Sequence, residues 1–247
     1  MAVKYYAHFS DDDAREWHIT IIDQEYSGSS PLEFTVGADG FVLKYEGSDT
    51  NRAQTIMPST CEFTYFLQNS NDDQLLTDIA GSYEGRYIVE IFAGGASYSA
   101  GHLYWRGVLL ADVSTIVDEA HPQPFRMLAI DDLVGLRGVP YENDNNGYTS
   151  LVGLVSLFLN KMRVWDVTSD THRVTIVNWL EAEDAGGTYR EIWQNGELNL
   201  NSFTFTDTFP VTYRDTYESL DGLISGLGCR MYWRASIDPS VDSGFVI

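Results

Sequence analysis

Short stretches of alternating hydrophobic and polar residues dominate the first 137 positions of the chain. In residues 16–22, Trp17, Ile19 and Ile21 stand at every second position, and residues 41–45 repeat the pattern. This period of two predicts β-strands with one buried face. Residues 28–31 and 37–40 are rich in turn formers, so we expect them to separate antiparallel strands of a meander. Strands are predicted at residues 5–9, 16–22, 32–36, 41–45, 62–66, 86–92, 102–110 and 125–130.

Helical spacing of apolar residues occurs in three shorter places. One helix is predicted after Asp72, a second begins with Thr149 as its N-cap, and a third begins at Asp215, which fits a capping box with Glu218. We therefore predict a mainly β fold (β+α) with a few peripheral α-helices. The other strand-like runs are residues 173–180, 188–193, 229–233 and 244–247.

The pattern changes after Pro140, where a polar loop and the second predicted helix follow the strand-rich part. We predict two domains, residues 1–137 and 138–247, of which the second contains the longer helices. Residues 244–247 begin a strand for which no following partner strand is present. The second domain is therefore expected to be incomplete at its C-terminus.

The chain is strongly acidic, with 36 Asp and Glu against 15 Lys and Arg and a net charge of -21 at pH 7. The basic residues are scattered singly, which disfavours specific nucleic-acid binding because phosphate contacts depend on clustered Lys and Arg. Acidity favours solubility, and in a channel it would let DNA pass without sticking. No run approaches the ~18 apolar residues of a membrane span, and the N-terminus lacks the apolar core of a signal peptide. We expect neither membrane insertion nor export by that route.

Specific catalytic and metal motifs are missing from the sequence. No Gly-x-Ser-x-Gly pentapeptide, His-Glu-x-x-His motif or phosphate-binding glycine loop occurs. Two isolated cysteines, Cys61 and Cys229, are expected to be buried hydrophobes. The histidines are dispersed and are expected to be structural or solvated: His8, His18, His102, His121 and His172.

Three weaker candidates have an ordinary structural interpretation. Residues 142–147 resemble the start of a calcium loop, but its twelfth position is Gly153 instead of a carboxylate, so a polar turn is predicted. Residues 11–13, all aspartate, are predicted to form a hairpin turn. Glu181, Glu183 and Asp184 lie near aromatic residues, as in sugar hydrolysis, but such clusters are more often solvated. We assign no catalytic, cofactor-binding or metal-binding residue and predict a protein that is not an enzyme.

Several segments together resemble the central hub proteins of phage tails, which share their fold with spike-base proteins of type VI secretion systems. Residues 103–110 (Leu-Tyr-Trp-Arg-Gly-Val-Leu-Leu) and 125–136 resemble the family's strand with a central glycine and its strand ending in Ala-x-Asp. The glycine would let a barrel strand bend, and the acid would cap the following turn. Residues 141–162 resemble a helix outside the barrel, and residues 217–233 with 243–247 resemble a helix-then-strand unit.

This resemblance implies two small β-barrel-like domains of antiparallel strands and a homotrimeric ring at the distal end of the tail tube. DNA would pass through its lumen, and the implied partners are further copies, a distal tail or tail tube protein, and tail fibre or tip proteins. No cofactor is implied, and the expected location is the virion tail, assembled in the host cytoplasm. The alternatives are a hexameric distal tail protein, a carbohydrate-binding adhesin or fibre module, and a cell-wall-degrading enzyme that uses Glu181 or Glu183.

Overall fold

The computed structural model is mostly β, with a nearly closed barrel-like sheet and a few helices, which confirms the predicted fold class. Contacts divide the chain into two compact units. Unit 1 comprises Met1–Gly47, Pro58–Asp132 and Trp233–Gly244, and unit 2 comprises Ser48–Met57, Leu133–Tyr232 and Phe245–Ile247. The division into domains 1–137 and 138–247 stays a prediction. The structure describes residues 1–46, 54–68, 72–111, 115–116, 121–140, 148–150, 155, 157–163, 174–175, 181–183, 189–191, 197–199, 216–226, 230–240 and 243–247.

Unit 1 is built on a nine-stranded sheet with the order β3-β1-β2-β7-β8-β10-β6-β4, and β9 pairs with β10. The strands of the first half of the chain are β1 (Ala2–Ser10), β2 (Glu16–Asp23), β3 (Leu32–Glu33), β4 (Thr35–Tyr45), β5 (Ile56–Met57, in unit 2), β6 (Ser59–Leu67), β7 (Tyr87–Ala93), β8 (His102–Leu109), β9 (Thr115–Ile116) and β10 (Gln123–Ile130).

Residues 32–45 bring the two ends of this sheet together. β3 pairs in parallel with β1, and the Phe34 N–H donates to the Tyr6 carbonyl oxygen at 2.8 Å. β4 then pairs antiparallel with β6, at the other end of the strand order. The Phe41 ring of β4 also contacts the Phe9 ring of β1, with centroids 6.4 Å apart. This one stretch of chain therefore forms strands at both ends of the sheet, and the sheet is nearly closed.

Large side chains fill the inward-facing side of the barrel. The strand register places Tyr5, Ile21, Val89 and Gly107 in one row across β1, β2, β7 and β8. Because side chains alternate between the faces of a strand, every second residue of these strands points inward. Other buried residues on this side are Ala7, Ile19, Cys61, Phe63, Tyr65, Ile91, Trp105, Leu109, Phe125, Met127 and Ala129.

The helix α1 (Asp73–Ala80) begins after Asp72, as predicted, although Asp72 makes no side-chain capping hydrogen bond. Leu75 and Ile79 are buried on one face of the helix. The Tyr5 hydroxyl donates to Asp78 Oδ2 at 2.6 Å. The Tyr87 hydroxyl donates to the Asp78 carbonyl oxygen at 3.3 Å, so Tyr5 and Tyr87 tie α1 to β1 and β7.

The turn predicted at residues 37–40 is wrong. β4 continues through these residues and pairs with β6 on both sides, Val36 opposite Tyr65 and Phe41 opposite Phe63. The residues between them form a bulge. Gly40 has φ +61°, and a Cβ at this position would lie 2.5 Å from the Phe9 ring. Gly40 is therefore required by the bulge, although in the sequence it indicates a turn.

Two further expectations for the strand-rich part are wrong. The strands do not form a simple meander, because β3 is parallel to β1 and β4 pairs with β6. β2 is buried on both faces, since His18, Thr20 and Ile22 are buried as well as the alternating apolar residues. Polar residues at alternate positions therefore do not mark a solvated face in this strand.

The C-terminal half contains short strands and the helix α2 (Thr216–Gly226). One sheet has the order β12-β17-β16-β5, while β11 pairs with β15 and β13 pairs with β14. The strands are β11 (Tyr148–Ser150), β12 (Val174–Thr175), β13 (Glu181–Glu183), β14 (Tyr189–Glu191), β15 (Glu197–Asn199), β16 (Met231–Arg234) and β17 (Gly244–Val246).

Two of the three predicted helices lie in this half. Thr149 belongs to β11, so its prediction as a helix N-cap is wrong, but residues 155 and 157–159 are helical and Phe158 is buried. In α2, Leu220 and Ile224 are buried, as their spacing predicted. Asp215 lies outside the described residues. In the part of the chain that the structure describes, no helix has the length and apolar character needed to cross a membrane.

Candidate functional site

The outer side of β4, β6 and β10 is an exposed sheet surface of unit 1. In β6, buried residues alternate with the half-exposed Glu62, Thr64 and Phe66. The strand register places Glu62 beside Val42 and Thr64 beside Arg126. Val42 is 44% exposed, which is high for a large hydrophobic residue in a strand. We call this surface the β4–β6–β10 face, formed by Val42, Lys44, Glu62, Thr64, Phe66 and Arg126.

Glu62 joins two basic residues at the centre of the β4–β6–β10 face. Lys44 Nζ donates to Glu62 Oε1 at 2.8 Å, and an Arg126 guanidinium nitrogen donates to Glu62 Oε2. These hydrogen bonds lower the pKa of Glu62 below its ordinary value, so the carboxylate stays ionised at neutral pH. The side chains of Lys44 and Arg126 are nevertheless 52% and 62% exposed. Both cations therefore keep most of their surface toward solvent.

The exposed charges of unit 1 are distributed unevenly. Among its described residues, Lys44 and Arg126 are exposed, and the other Lys and Arg residues are buried or half-buried. The β4–β6–β10 face therefore combines apolar surface with the exposed cations of an otherwise acidic unit. The exposed acidic residues of the same unit are Asp12, Asp13, Glu25, Glu33, Asp39, Glu46, Glu84 and Asp238.

A cleft of about 540 Å³ opens on this face beside the bulge in β4. Its lining includes Gly37, Asp39 and Gly40 of the bulge and the side chains of Phe66 and Arg126. A Cβ at Gly37 would lie 3.2 Å from the Phe66 ring, so glycine keeps this part of the cleft open. The bulge thus gives the exposed surface a concave feature with apolar and charged walls.

A second polar cluster contains His8 and His18, which are separated in sequence but adjacent in the sheet. His8 and His18 are direct neighbours across β1 and β2, with ring centroids 5.0 Å apart. His18 is buried, its Nδ1 is 2.7 Å from the Tyr6 hydroxyl, and its Nε2 is 3.1 Å from the Gly95 carbonyl oxygen. His8 pairs with Glu16. The cluster ties residues 94–101 to the sheet.

Other buried polar groups hold strands together. The Asp131 carboxylate accepts hydrogen bonds from the Ser59 backbone N–H at 2.6 Å and from the Ser59 hydroxyl at 2.9 Å. Trp105 Nε1 donates to the same hydroxyl at 2.9 Å. The acid at the end of β10 therefore fixes the start of β6, and the indole of β8 completes the network. All three residues are buried, so this network has a structural role.

The aspartates of residues 11–13 form the predicted hairpin turn. Asp11 Oδ1 accepts hydrogen bonds from the backbone N–H groups of Asp13 at 3.0 Å and Arg15 at 2.8 Å. Asp11 Oδ2 accepts from Trp17 Nε1 at 2.9 Å. The indole and backbone donors lower the pKa of Asp11. Both oxygens are engaged in shaping the turn, which agrees with the prediction.

The aromatic and cysteine predictions are tested at four positions. Trp17, Trp105 and Trp233 are 7%, 0% and 3% exposed, so these tryptophans fill the core and do not form a sugar-stacking platform. Cys61 is a buried free thiol, as predicted, and burial raises its pKa. Trp165, Trp179, Trp193, His172, Cys229, Asp184 and residues 142–147 lie outside the described residues.

Among the residues that the structure describes, no group of three or more His, Cys, Asp or Glu side chains could hold a metal ion. Glu181 and Glu183 lie in β13, opposite β14, and their side chains are outside the described set.

No protein-family model matches the chain, and no curated protein matches it at a significant level. The resemblance to tail hub proteins therefore stays a prediction from the sequence.

Proposed function

We propose that this chain is a structural protein of a phage tail tip, a hub subunit that forms a homotrimeric ring at the distal end of the tail tube. Its partners would be a distal tail or tail tube protein on one side and fibre or tip proteins on the other. The order of the sequence segments supports the hub family, and the mostly β, barrel-like structure is of the type that the family implies.

The observation that carries the proposal is the filled interior of a nearly closed barrel. Inward-facing residues such as Trp105, Phe125 and Met127 are at most 2% exposed. A densely packed barrel of this kind is a rigid building block. DNA could not pass through such a subunit, so a channel would have to lie between subunits arranged in a ring.

The charge of the chain supports the same interpretation. A net charge of -21 repels the phosphate backbone, and the exposed charged residues among those described in unit 1 are mainly acidic. Attractive contacts with Lys and Arg would hold DNA inside the channel and slow its passage. An acidic ring would guide DNA without binding it.

The proposal predicts the position of the protein in a particle. Gold-labelled antibodies against the purified chain should bind at the tail end opposite the capsid, in particles whose content of this protein is established by mass spectrometry. Pre-incubation of the antibodies with the purified chain is the control and should abolish the label. Label on the capsid, along the tail tube or only on material outside particles would contradict the proposal.

A further inference from the structure

We propose that the β4–β6–β10 face is the surface through which one copy of this chain contacts the next in a head-to-tail ring. This inference rests on the proposed ring-forming function and names the residues that carry the contact. Val42 and Phe66 supply apolar surface, and Lys44 and Arg126 supply positive charge. The neighbouring copy would supply an acidic surface.

The apolar part of the argument begins with the exposure of the strands. The outer sides of β2 and β7 are buried at Thr20, Ile22 and Ile88, whereas the outer side of β4 and β6 is open at Val42 and Phe66. Burial of apolar surface favours association. Exposed hydrophobic residues grouped on one sheet surface are typical of a contact with another protein.

The charge of the chain selects a second copy as the partner. Copies with a net charge of -21 repel one another at most orientations, so self-association needs a surface where the acidic excess is absent. On the β4–β6–β10 face and in its cleft, Lys44 and Arg126 balance Glu62 and Asp39. Both cations remain more than half exposed and can meet carboxylates of a neighbouring copy.

The geometry of such a contact follows from the uneven charge distribution. The exposed cations of unit 1 lie on the β4–β6–β10 face, and its exposed carboxylates lie mostly elsewhere, as at Asp12 and Asp13 in the β1–β2 turn. Complementarity between two different surfaces favours a heterologous contact over a self-complementary one. A heterologous contact closes into a ring when its rotation is a simple fraction of a turn.

Two substitutions test the contact without touching the buried core. Arg126→Glu reverses an exposed cation, and Val42→Asp places a charge on the exposed apolar surface. Each should raise the dissociation constant of the assembly at least about tenfold, because both leave an unpaired charge in the contact. Lys161→Glu is the matched control, since Lys161 is exposed, lies outside this face and undergoes the same charge change as Arg126.

Analytical ultracentrifugation over a concentration series measures the dissociation constants, and thermal melting establishes that each variant is folded. The expected result is an assembled wild type and Lys161→Glu variant, with Arg126→Glu and Val42→Asp shifted toward monomer while melting within a few degrees of wild type. Unchanged assembly of both face variants would overturn the proposed contact surface but would not contradict the proposed ring. Equal dissociation of Lys161→Glu would overturn it too. A monomeric wild type at every concentration would overturn both the contact and the proposed ring.

Discussion

Replacing Gly107 by alanine is expected to lower the free energy of unfolding by about 3 kcal/mol. A Cβ at this position would lie 2.3 Å from the Ile130 carbonyl oxygen and 2.2 Å from the Trp105 ring. Neither neighbour can move easily, because Ile130 belongs to β10 and Trp105 is buried and donates a hydrogen bond to Ser59. Glycine is therefore required by the close approach of β8 and β10.

Thermal melting followed by circular dichroism measures this loss. For a chain of this size, about 3 kcal/mol corresponds to a decrease in Tm of about 6–12 °C. Gly37→Ala is the matched control in β4, where a Cβ would lie 3.2 Å from the half-exposed Phe66 ring, which has room to shift. A Tm for Gly107→Ala equal to that of Gly37→Ala would show that β8 and β10 do not pack as described.

Replacing Arg86 by methionine is expected to cost about 3 kcal/mol at neutral pH, because it leaves a buried carboxylate without its main partner. Arg86 Nε and Nη2 donate to the two oxygens of Asp23 at 2.9 and 2.8 Å, and Asp23 is 1% exposed. Burial alone would raise the pKa of Asp23. The hydrogen bonds from Arg86, the Glu25 N–H and Lys4 outweigh burial and lower the pKa to about 2.

The pH dependence of stability distinguishes this mechanism from a simple loss of packing. The ordinary pKa of aspartate is 3.8, so the stabilisation from ionised Asp23 is fully present above about pH 4 and is lost as the pH falls toward 2. In Arg86→Met the pKa of Asp23 rises, and the variant loses less stability over that range. Urea unfolding at pH 7 and pH 3 should therefore show the difference between wild type and variant shrinking at the lower pH.

Arg15→Met is the control for this prediction. Arg15 Nη1 lies 3.6 Å from Asp11 Oδ2, and both side chains are about one-third exposed, at 35% and 30%. An ion pair with this exposure contributes little to stability, because solvent screens it. A destabilisation of Arg86→Met no larger than that of Arg15→Met, or one that stays constant from pH 7 to pH 3, would contradict the described role of the Asp23 pair.

The sequence predicted the strands of unit 1 well because their periodicity is a local property. β1, β2, β6, β7, β8 and β10 all lie where alternating or apolar runs occur. The bulge in β4 was missed because Gly37 and Gly40 satisfy a turn and a bulge equally well. Only the pairing of both halves of β4 with β6 distinguishes them, and that pairing depends on residues 14 or more positions away.

The candidate site could not be derived from the sequence for a similar reason. Lys44, Glu62 and Arg126 come from three strands, and their neighbourhood depends on the β4–β6 and β6–β10 registers. The polar pattern of β2 suggested a solvated face, but His18 finds partners in Tyr6 and Gly95 that let it be buried. The pattern of a single strand does not show which of its faces another segment covers.

The symmetry of the purified protein tests the central claim most directly. Native mass spectrometry combined with class averages of negatively stained particles gives both the number of subunits and the shape. A hub predicts a three-fold ring with three times the chain mass of 27.8 kDa and an opening at its centre. A six-fold ring would contradict the hub in favour of a distal tail protein, and a monomer at every concentration would contradict the ring itself.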